Sequence, residues 1–135
     1  MANELTVNIS RSISIGGQSI GGVLGTVLVD YIIDERKQVP ASTTNAEFDV
    51  NVTIANVKIM AIEADHDCTV KTNSTGSPDE TLTLKANQPL IWNSDSDPAG
   101  AKFITHDVTK LFVTTTVATI VKFGAGMDST PVLTP

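Results

Sequence analysis

Apolar and polar residues alternate along much of this chain, as they do in β-strands that bury one face. Residues 48–54 alternate without interruption, which predicts a half-buried strand. The other predicted strands cover residues 5–15, 22–33, 57–64, 68–72, 81–85, 89–92, 111–115 and 117–123. No ten-residue amphipathic helix separates them. The pattern therefore predicts an all-β fold, an antiparallel β-sandwich like a jelly roll.

The segments between the predicted strands are rich in turn residues. Gly16-Gly17 turns the chain after the first strand, and Asn-Ser-Thr-Gly-Ser-Pro-Asp at 73–79 forms a turn cluster. Residues 34–44 are charged and then rich in Thr, which predicts an exposed connection, with a partner-facing charged patch as the alternative. Residues 105–110, capped by Thr105, are the one short helical turn that we expect.

The sequences of both ends of the chain predict segments that extend away from the core. The apolar face of the first strand consists of Leu5, Val7, Ile9, Ile13 and Ile15. Arg11 interrupts that face, either at a β-bulge or where the strand leaves the core for another subunit. Residues 1–15 are therefore an N-terminal arm or strand, and residues 124–135, with two Gly and two Pro, are expected to form an extended tail.

Length and charge narrow the class of protein. The 135 residues fit a single domain, 1–135, that can bury a core of its own. The net charge of −6 and nine scattered basic residues argue against nucleic acid as a partner. The single Cys68 excludes an internal disulfide, and the first residues lack a basic signal region, so synthesis in the cytoplasm is expected. Residues 19–33 are too few to cross a membrane.

Three residue groups were candidates for chemistry. His66 and Cys68 are spaced like two metal ligands on a strand, but too few further ligands accompany them to bind zinc. His106 and its neighbour Asp107, like His66 and Asp67, place a carboxylate beside an imidazole without a nucleophile to complete a triad. We therefore predict no enzyme, no catalytic residue, no cofactor and no dedicated metal site.

A surface cation at the acidic loop that follows Trp92 is left open. Asn93-x-Asp95-x-Asp97 imitates the start of a calcium loop, but Pro98 and Ile104 stand where Gly and Glu are required. The complete calcium motif is therefore absent, although carboxylates clustered in this way attract hard cations.

Four stretches carry a resemblance to a known family. They are Ala-Asn-Val-Lys at 55–58, Cys-Thr-Val-Lys-Thr-Asn-Ser at 68–74, Leu-Lys-Ala-Asn-Gln-Pro-Leu-Ile-Trp at 84–92 and Asp-Val-Thr-Lys-Leu-Phe-Val-Thr at 107–114. In this order they resemble the small virion structural proteins of tailed bacteriophages. Asn87 stands where that family usually has Gly, and Asn is the residue that most readily replaces Gly at positive φ, so the turn is expected to survive.

The resemblance implies a β-sandwich component of the virion, including the capsid decoration or cement proteins. Such a protein would bind the major capsid protein on the outside of the assembled shell and stabilise it, as a homo-oligomer for which a trimer is favoured. Unpaired sheet edges and the strand at 3–15 would serve subunit exchange or strand addition. A phage tail or baseplate component is the first alternative. A non-viral adhesin or carbohydrate-binding module is the second, although aromatic residues make up 4% of the chain.

Overall fold

A computed structural model describes residues 5–95 and 97–128, except for the side chains of residues 9–13 and 20–27. These residues form ten β-strands and two short 3₁₀ turns, at Ile54–Asn56 and Ala99–Ala101. The strands are β1 (Leu5–Ile15), β2 (Gln18–Val29), β3 (Tyr31–Val39), β4 (Thr43–Val52), β5 (Val57–Ala64), β6 (Cys68–Thr72), β7 (Thr81–Leu84), β8 (Leu90–Asn93), β9 (Val108–Thr115) and β10 (Thr119–Met127).

Eight of these strands form a sandwich of two antiparallel sheets, in the orders β3-β10-β5-β8 and β4-β9-β6-β7. Their pairing is nested along the chain: β3 pairs with β10, β4 with β9, β5 with β8 and β6 with β7. This is the connectivity of a jelly roll, in which one long antiparallel ribbon folds over into two sheets. The all-β, jelly-roll-like sandwich predicted from the sequence is confirmed.

The two sheets enclose a hydrophobic core. Its largest fully buried side chains include Phe123, Met60, Ile62, Leu84, Ile104, Leu111 and Met127. Trp92 is buried as well, and its indole nitrogen donates a hydrogen bond to the carbonyl of Pro98. In β6 every second residue is buried, from Cys68 to Thr72, so strand alternation selects which side chains enter the core. The expectation that Trp92 and Cys68 are core residues is confirmed.

Several local predictions agree with the structure. Gly16 and Gly17 form the turn between β1 and β2 with φ of 58° and 83°. The pairing of β1 with β2 shifts register next to Arg11, at the position where the sequence allowed a bulge. Asn87 has φ of 59°, as expected of a residue that stands for Gly in a turn.

The prediction of an exposed connection at residues 34–44 is wrong. Most of this segment belongs to β3 and β4, and a short turn separates the two strands. Glu35 pairs with Phe123 and Lys37 with Val121 of β10, although charged residues have low strand propensity. Asp34 and Arg36 are exposed, and Glu35 and Lys37 are only half-buried, so the charged side chains of this edge strand keep access to water.

Other boundaries also differ from the prediction. The segment at 22–33 is divided at Asp30 between β2 and β3, and the uninterrupted alternation at 48–54 ends in a 3₁₀ turn. The helical turn predicted at 105–110 is absent: Thr105 donates its hydroxyl to Glu80 instead of capping a helix, and β9 begins at Val108. The expected tail at 124–135 begins later, since β10 continues to Met127, and residues 129–135 lie outside the described part.

Phe123 gives a direct test of this core. Replacing Phe123 by Ala should lower the free energy of unfolding by about 3–5 kcal/mol, because the ring is fully buried between the sheets. The matched control is Lys122→Ala, an exposed neighbour on the outer face of β10, which should change stability by less than about 0.5 kcal/mol. Denaturant unfolding measures both; equal effects would contradict the proposed inward face of β10.

Candidate functional site

The most unusual feature of the described structure is a long hairpin outside the sandwich. Strands β1 and β2 form a two-stranded sheet of their own, in antiparallel register from Leu5 opposite Val29 to Ile15 opposite Gln18. Arg11 is the only charged residue between positions 5 and 29. Neither strand pairs with a further strand in the described part of the chain, so each presents a row of backbone groups open to another strand.

The base of the hairpin rests on the outer face of the β3-β10-β5-β8 sheet. Val29 of β2 and Ile59 of β5 are both buried there and form a small hydrophobic cluster, against which Val7 of β1 packs. Gly126 of β10 lies beneath this cluster. A Cβ atom at Gly126 would lie 2.9 Å from Ile59 Cγ2 and 2.9 Å from Val29 Cγ1, so only the absence of a side chain lets the hairpin approach this closely.

An open groove of about 500 Å³ runs beside the base of the hairpin. Its lining is mostly apolar or small and includes Thr6, Val7, Ile32, Ile59, Ala61 and Ile91. Gly124 and Gly126 contribute bare backbone to its floor, because both are outward-facing positions of β10 without side chains. The groove therefore joins the hairpin and the sheet face into one continuous apolar surface.

Exposed large apolar side chains occur at both ends of the hairpin and on the neighbouring strand β3. Ile15, beside the hairpin turn, is 59% exposed, and Leu28 and Ile32 are each 47% exposed. Leu5 is 39% exposed at the start of β1. Large apolar side chains gathered at a site of this kind mark interaction surfaces more often than catalytic ones.

The four edges of the sandwich differ from the edges of the hairpin. Strands β7 and β8, which end the two sheets, are four residues long. Edge strand β3 carries four consecutive charged residues at 34–37, and edge strand β4 carries Glu47 and Asp49. Short length and charge are the devices by which natural sheets avoid pairing with other chains. Only the hairpin, among the described strands, has long edges that lack both devices.

A polar cluster ties two loops together elsewhere on the sandwich. Glu80 accepts hydrogen bonds from the hydroxyls of Thr72 and Thr105 and contacts His106 Nδ1 at 2.6 Å. This hydrogen bond to Glu80 raises the pKa of His106 above its usual value. Glu80 and the Thr105 hydroxyl both contact the same nitrogen of His106, whereas a catalytic triad places base and nucleophile on opposite ring nitrogens. The cluster of Glu80, Thr72, Thr105 and His106 therefore joins two loops by hydrogen bonds, and we call it the clasp.

Asn73 extends the clasp to the start of β9. Its side-chain amide donates to the Asp79 carboxylate at 2.6 Å and to the carbonyl of Asp107 at 2.7 Å. Its side-chain oxygen accepts from the backbone N–H of Thr109. With φ of 67°, Asn73 holds a left-handed turn conformation that Asn tolerates well. The 73–79 turn cluster is therefore fixed to the neighbouring strand by side-chain hydrogen bonds.

The structure separates the residues that resembled metal ligands. Cys68 is buried, and desolvation raises the pKa of its thiol to about 11, whereas His66 is exposed and contacts Asp65. Asp65 accepts a hydrogen bond from the backbone N–H of Ile120, and Asp67 accepts one from Ala86. Among the described residues, no three His, Cys, Asp or Glu side chains gather as metal ligands.

The acidic loop at 93–97 uses its polar atoms to hold its own turn. The Asn93 side-chain oxygen accepts from the backbone N–H of Asp95, and the Asp97 carboxylate accepts from the backbone N–H of Asn93. These side-chain atoms therefore stabilise the turn, as Asn and Asp commonly do in loops.

Known proteins do not identify this site. Comparisons with protein-family models, with curated proteins and with solved structures found no match to this chain. None of the described helices is long and apolar enough to span a bilayer. The hairpin and its groove are therefore assigned from their own geometry.

Sequence reasoning identified the hairpin strand but missed the groove. The signal was present in Gly124 and Gly126, two glycines on one face of a single strand, since the side chains of Val29 and Ile59 pack closely over Gly126. Reading residues 124–135 as a tail concealed it. The pairing of Glu80 with His106 had no signal, because the two residues are distant in sequence.

Gly126 tests the seat of the hairpin. Gly126→Ala should destabilise the protein by about 1–3 kcal/mol, because the new methyl group overlaps Ile59 and Val29. The matched control is Gly124→Ala, whose Cβ would meet only the Ile33 carbonyl at 3.8 Å, and which should be neutral or slightly stabilising. Denaturant unfolding with hydrogen exchange at Val29 distinguishes them; equal effects of the two variants would contradict this seat.

The clasp predicts a pH dependence of stability. Because the folded-state pKa of His106 is raised, its contact with Glu80 stabilises the fold fully below the unfolded value near 6.5 and loses this effect as pH rises through the folded value. His106→Ala should therefore destabilise the protein more below the unfolded pKa near 6.5 than at a pH well above the raised folded pKa. In a Glu80→Gln background this difference should disappear; its persistence there would place the pH dependence elsewhere.

Proposed function

We propose that this chain is a bacteriophage virion structural protein, a capsid decoration protein that binds the outside of the assembled shell and stabilises it. The observation that carries the proposal is the long apolar hairpin seated on a rigid jelly roll, which is an element for association with other chains. The resemblance of residues 55–114 to phage virion proteins supports it. Jelly rolls also serve many other functions, so the fold alone is weaker support.

The sandwich suits a mechanical role. Its core includes Met60, Leu111 and Val113, each without measurable solvent exposure, and its loops are fastened by the Asn73 and Glu80 hydrogen bonds. In the described polar clusters, the hydrogen-bond donors and acceptors bind one another and are not directed towards a substrate. In our proposal the protein is therefore not an enzyme and needs no cofactor.

Charge favours an outer position on the particle. The net charge of −6 and the scattered lysines are unsuited to packaged DNA, which attracts clustered basic residues. The partner is the major capsid protein, contacted through the apolar groove and the hairpin. The protein is made in the host cytoplasm and ends on the capsid surface. Binding several capsid subunits at once converts modest contacts into strong attachment, because shell rupture must break them together.

A carbohydrate-binding role is disfavoured by the aromatic residues. Sugar sites present exposed aromatic rings, but Trp92 is buried and Lys102 Nζ lies 4.8 Å from its ring centre. Tyr31 is half-buried, with its hydroxyl directed to the Met127 sulfur. A place in the phage tail is the closest alternative. A few copies per particle would indicate the tail tip, whereas hundreds would fit either the capsid or the tail tube, which binding to purified capsids or tails then separates.

Addition of the purified protein to expanded capsids of its source phage that lack it tests this function. The protein should co-sediment with the capsids and raise the temperature at which they rupture, since it bridges neighbouring subunits. An acidic β-sandwich of similar size from an unrelated source is the control. Failure to co-sediment, with no gain in heat resistance, would contradict the decoration role. Binding to purified tails instead would support the tail alternative.

A further inference from the structure

We propose that copies of this chain associate through their hairpins in a ring, with the β1 edge of one copy paired to the β2 edge of the next. This inference deepens the proposed function, because it supplies the multivalent body that grips the shell. It rests on the two unpaired edges of the hairpin within the described structure. The sandwich edges are short or charged, whereas the hairpin edges are long and almost uncharged, so strand addition is favoured at the hairpin.

The length of the hairpin shows why it needs a neighbour. Strands of 11 and 12 residues extend over roughly 35 Å, and among the described side chains of the hairpin, Val7 and Val29 pack on the sandwich near its base. An isolated two-stranded hairpin is marginally stable in water, because each strand pairs on one side and no hydrophobic face is covered. A third and a fourth strand from neighbouring copies would pair the remaining backbone groups.

Charge and matching length identify the neighbour as another copy. Residues 30–135 carry a net charge of −6, so the bodies of two copies repel each other, while residues 5–29 contribute a single positive charge. Contact through the hairpins therefore causes less electrostatic repulsion between two copies than contact through the acidic sandwiches. The two edges differ in length by one residue, so β1 of one copy and β2 of the next pair along their whole length.

Ring closure follows from the use of both edges. Since β1 and β2 are antiparallel, joining β1 to the next β2 continues the alternation, and only a closed ring leaves no free edge. Two copies supply four strands, which are too few for a closed barrel. Three copies supply six strands, a number comparable to that of small closed barrels. The register shift between the Ser10–Leu24 and Ser12–Gly21 pairs, together with the glycines of β2, places a bulge and small residues where a barrel wall bends.

Ser14 and Ser19 offer a test confined to the hairpin. They are exposed partners across β1 and β2, near the turn. The full-length wild-type chain should have a mass in solution of at least three times 14.2 kDa. The double variant Ser14→Lys/Ser19→Lys should become monomeric, because its charges repel those of each neighbour. The matched control, Thr81→Lys/Thr83→Lys on exposed positions of β7, should keep the wild-type mass.

Two further measurements keep the test decisive. Mixing the lysine variant with Ser14→Glu/Ser19→Glu should restore the oligomer, which a merely misfolded hairpin would not do. In the wild-type oligomer, the amides of β1 and β2 should exchange at least tenfold more slowly than in the monomeric variant, because edge amides become paired. Native mass spectrometry and hydrogen exchange provide the two measurements.

The outcomes separate this inference from the function. A monomeric wild-type chain, or an oligomer that survives the lysine variant with unprotected hairpin amides, would overturn the hairpin ring. If that monomer still bound capsids, the decoration role would stand without the ring. An oligomer that dissociates in the lysine variant and reassembles on mixing would support the ring, even if capsid binding failed.

Discussion

Every β-strand has two rows of backbone hydrogen-bonding groups, and this structure depends on where each row finds its partner. Nested pairing satisfies the inner rows of eight strands and closes the chain into a jelly roll around one core. The outermost rows of the sandwich are protected by short strands or by charge. The hairpin of β1 and β2 follows neither solution, because its outer rows are long, almost uncharged and without a partner strand among the described residues. We propose that these edges are where the chain associates with other chains.

The seat of the hairpin shows how one missing side chain organises this end of the molecule. Gly126 allows Val29 and Ile59 to pack directly on the backbone of β10, so the hairpin leaves the sandwich from a fixed point. The same bare backbone continues into the groove at Gly124. A surface made in this way combines a rigid base with an extended reach. That combination suits the proposed role, in which the protein holds its own copies and a larger assembly together.

Alternation along the chain was enough to predict most of the fold, because strands such as β5 and β6 bury every second residue or nearly so. The prediction failed at residues 34–44, where pairing with β10 outweighs the low strand propensity of charged residues. It also failed at residues 105–110, where the Thr105 hydroxyl donates a hydrogen bond to Glu80 instead of capping a helix. Of the candidate site, the first strand could be predicted from the sequence, but the way it packs on the sandwich could not. An apolar first strand is visible in sequence, but its seat depends on a long-range contact between Val29 and Gly126.

The central claim is that the hairpin edges are where copies of this chain meet. The most direct measurement is a density map of the purified protein, by electron cryo-microscopy or crystallography. The account predicts β1 of one copy beside β2 of the next at the usual strand spacing of about 4.8 Å, in a closed antiparallel ring. A map in which the copies touch through their sandwiches, with the hairpins apart, would contradict it.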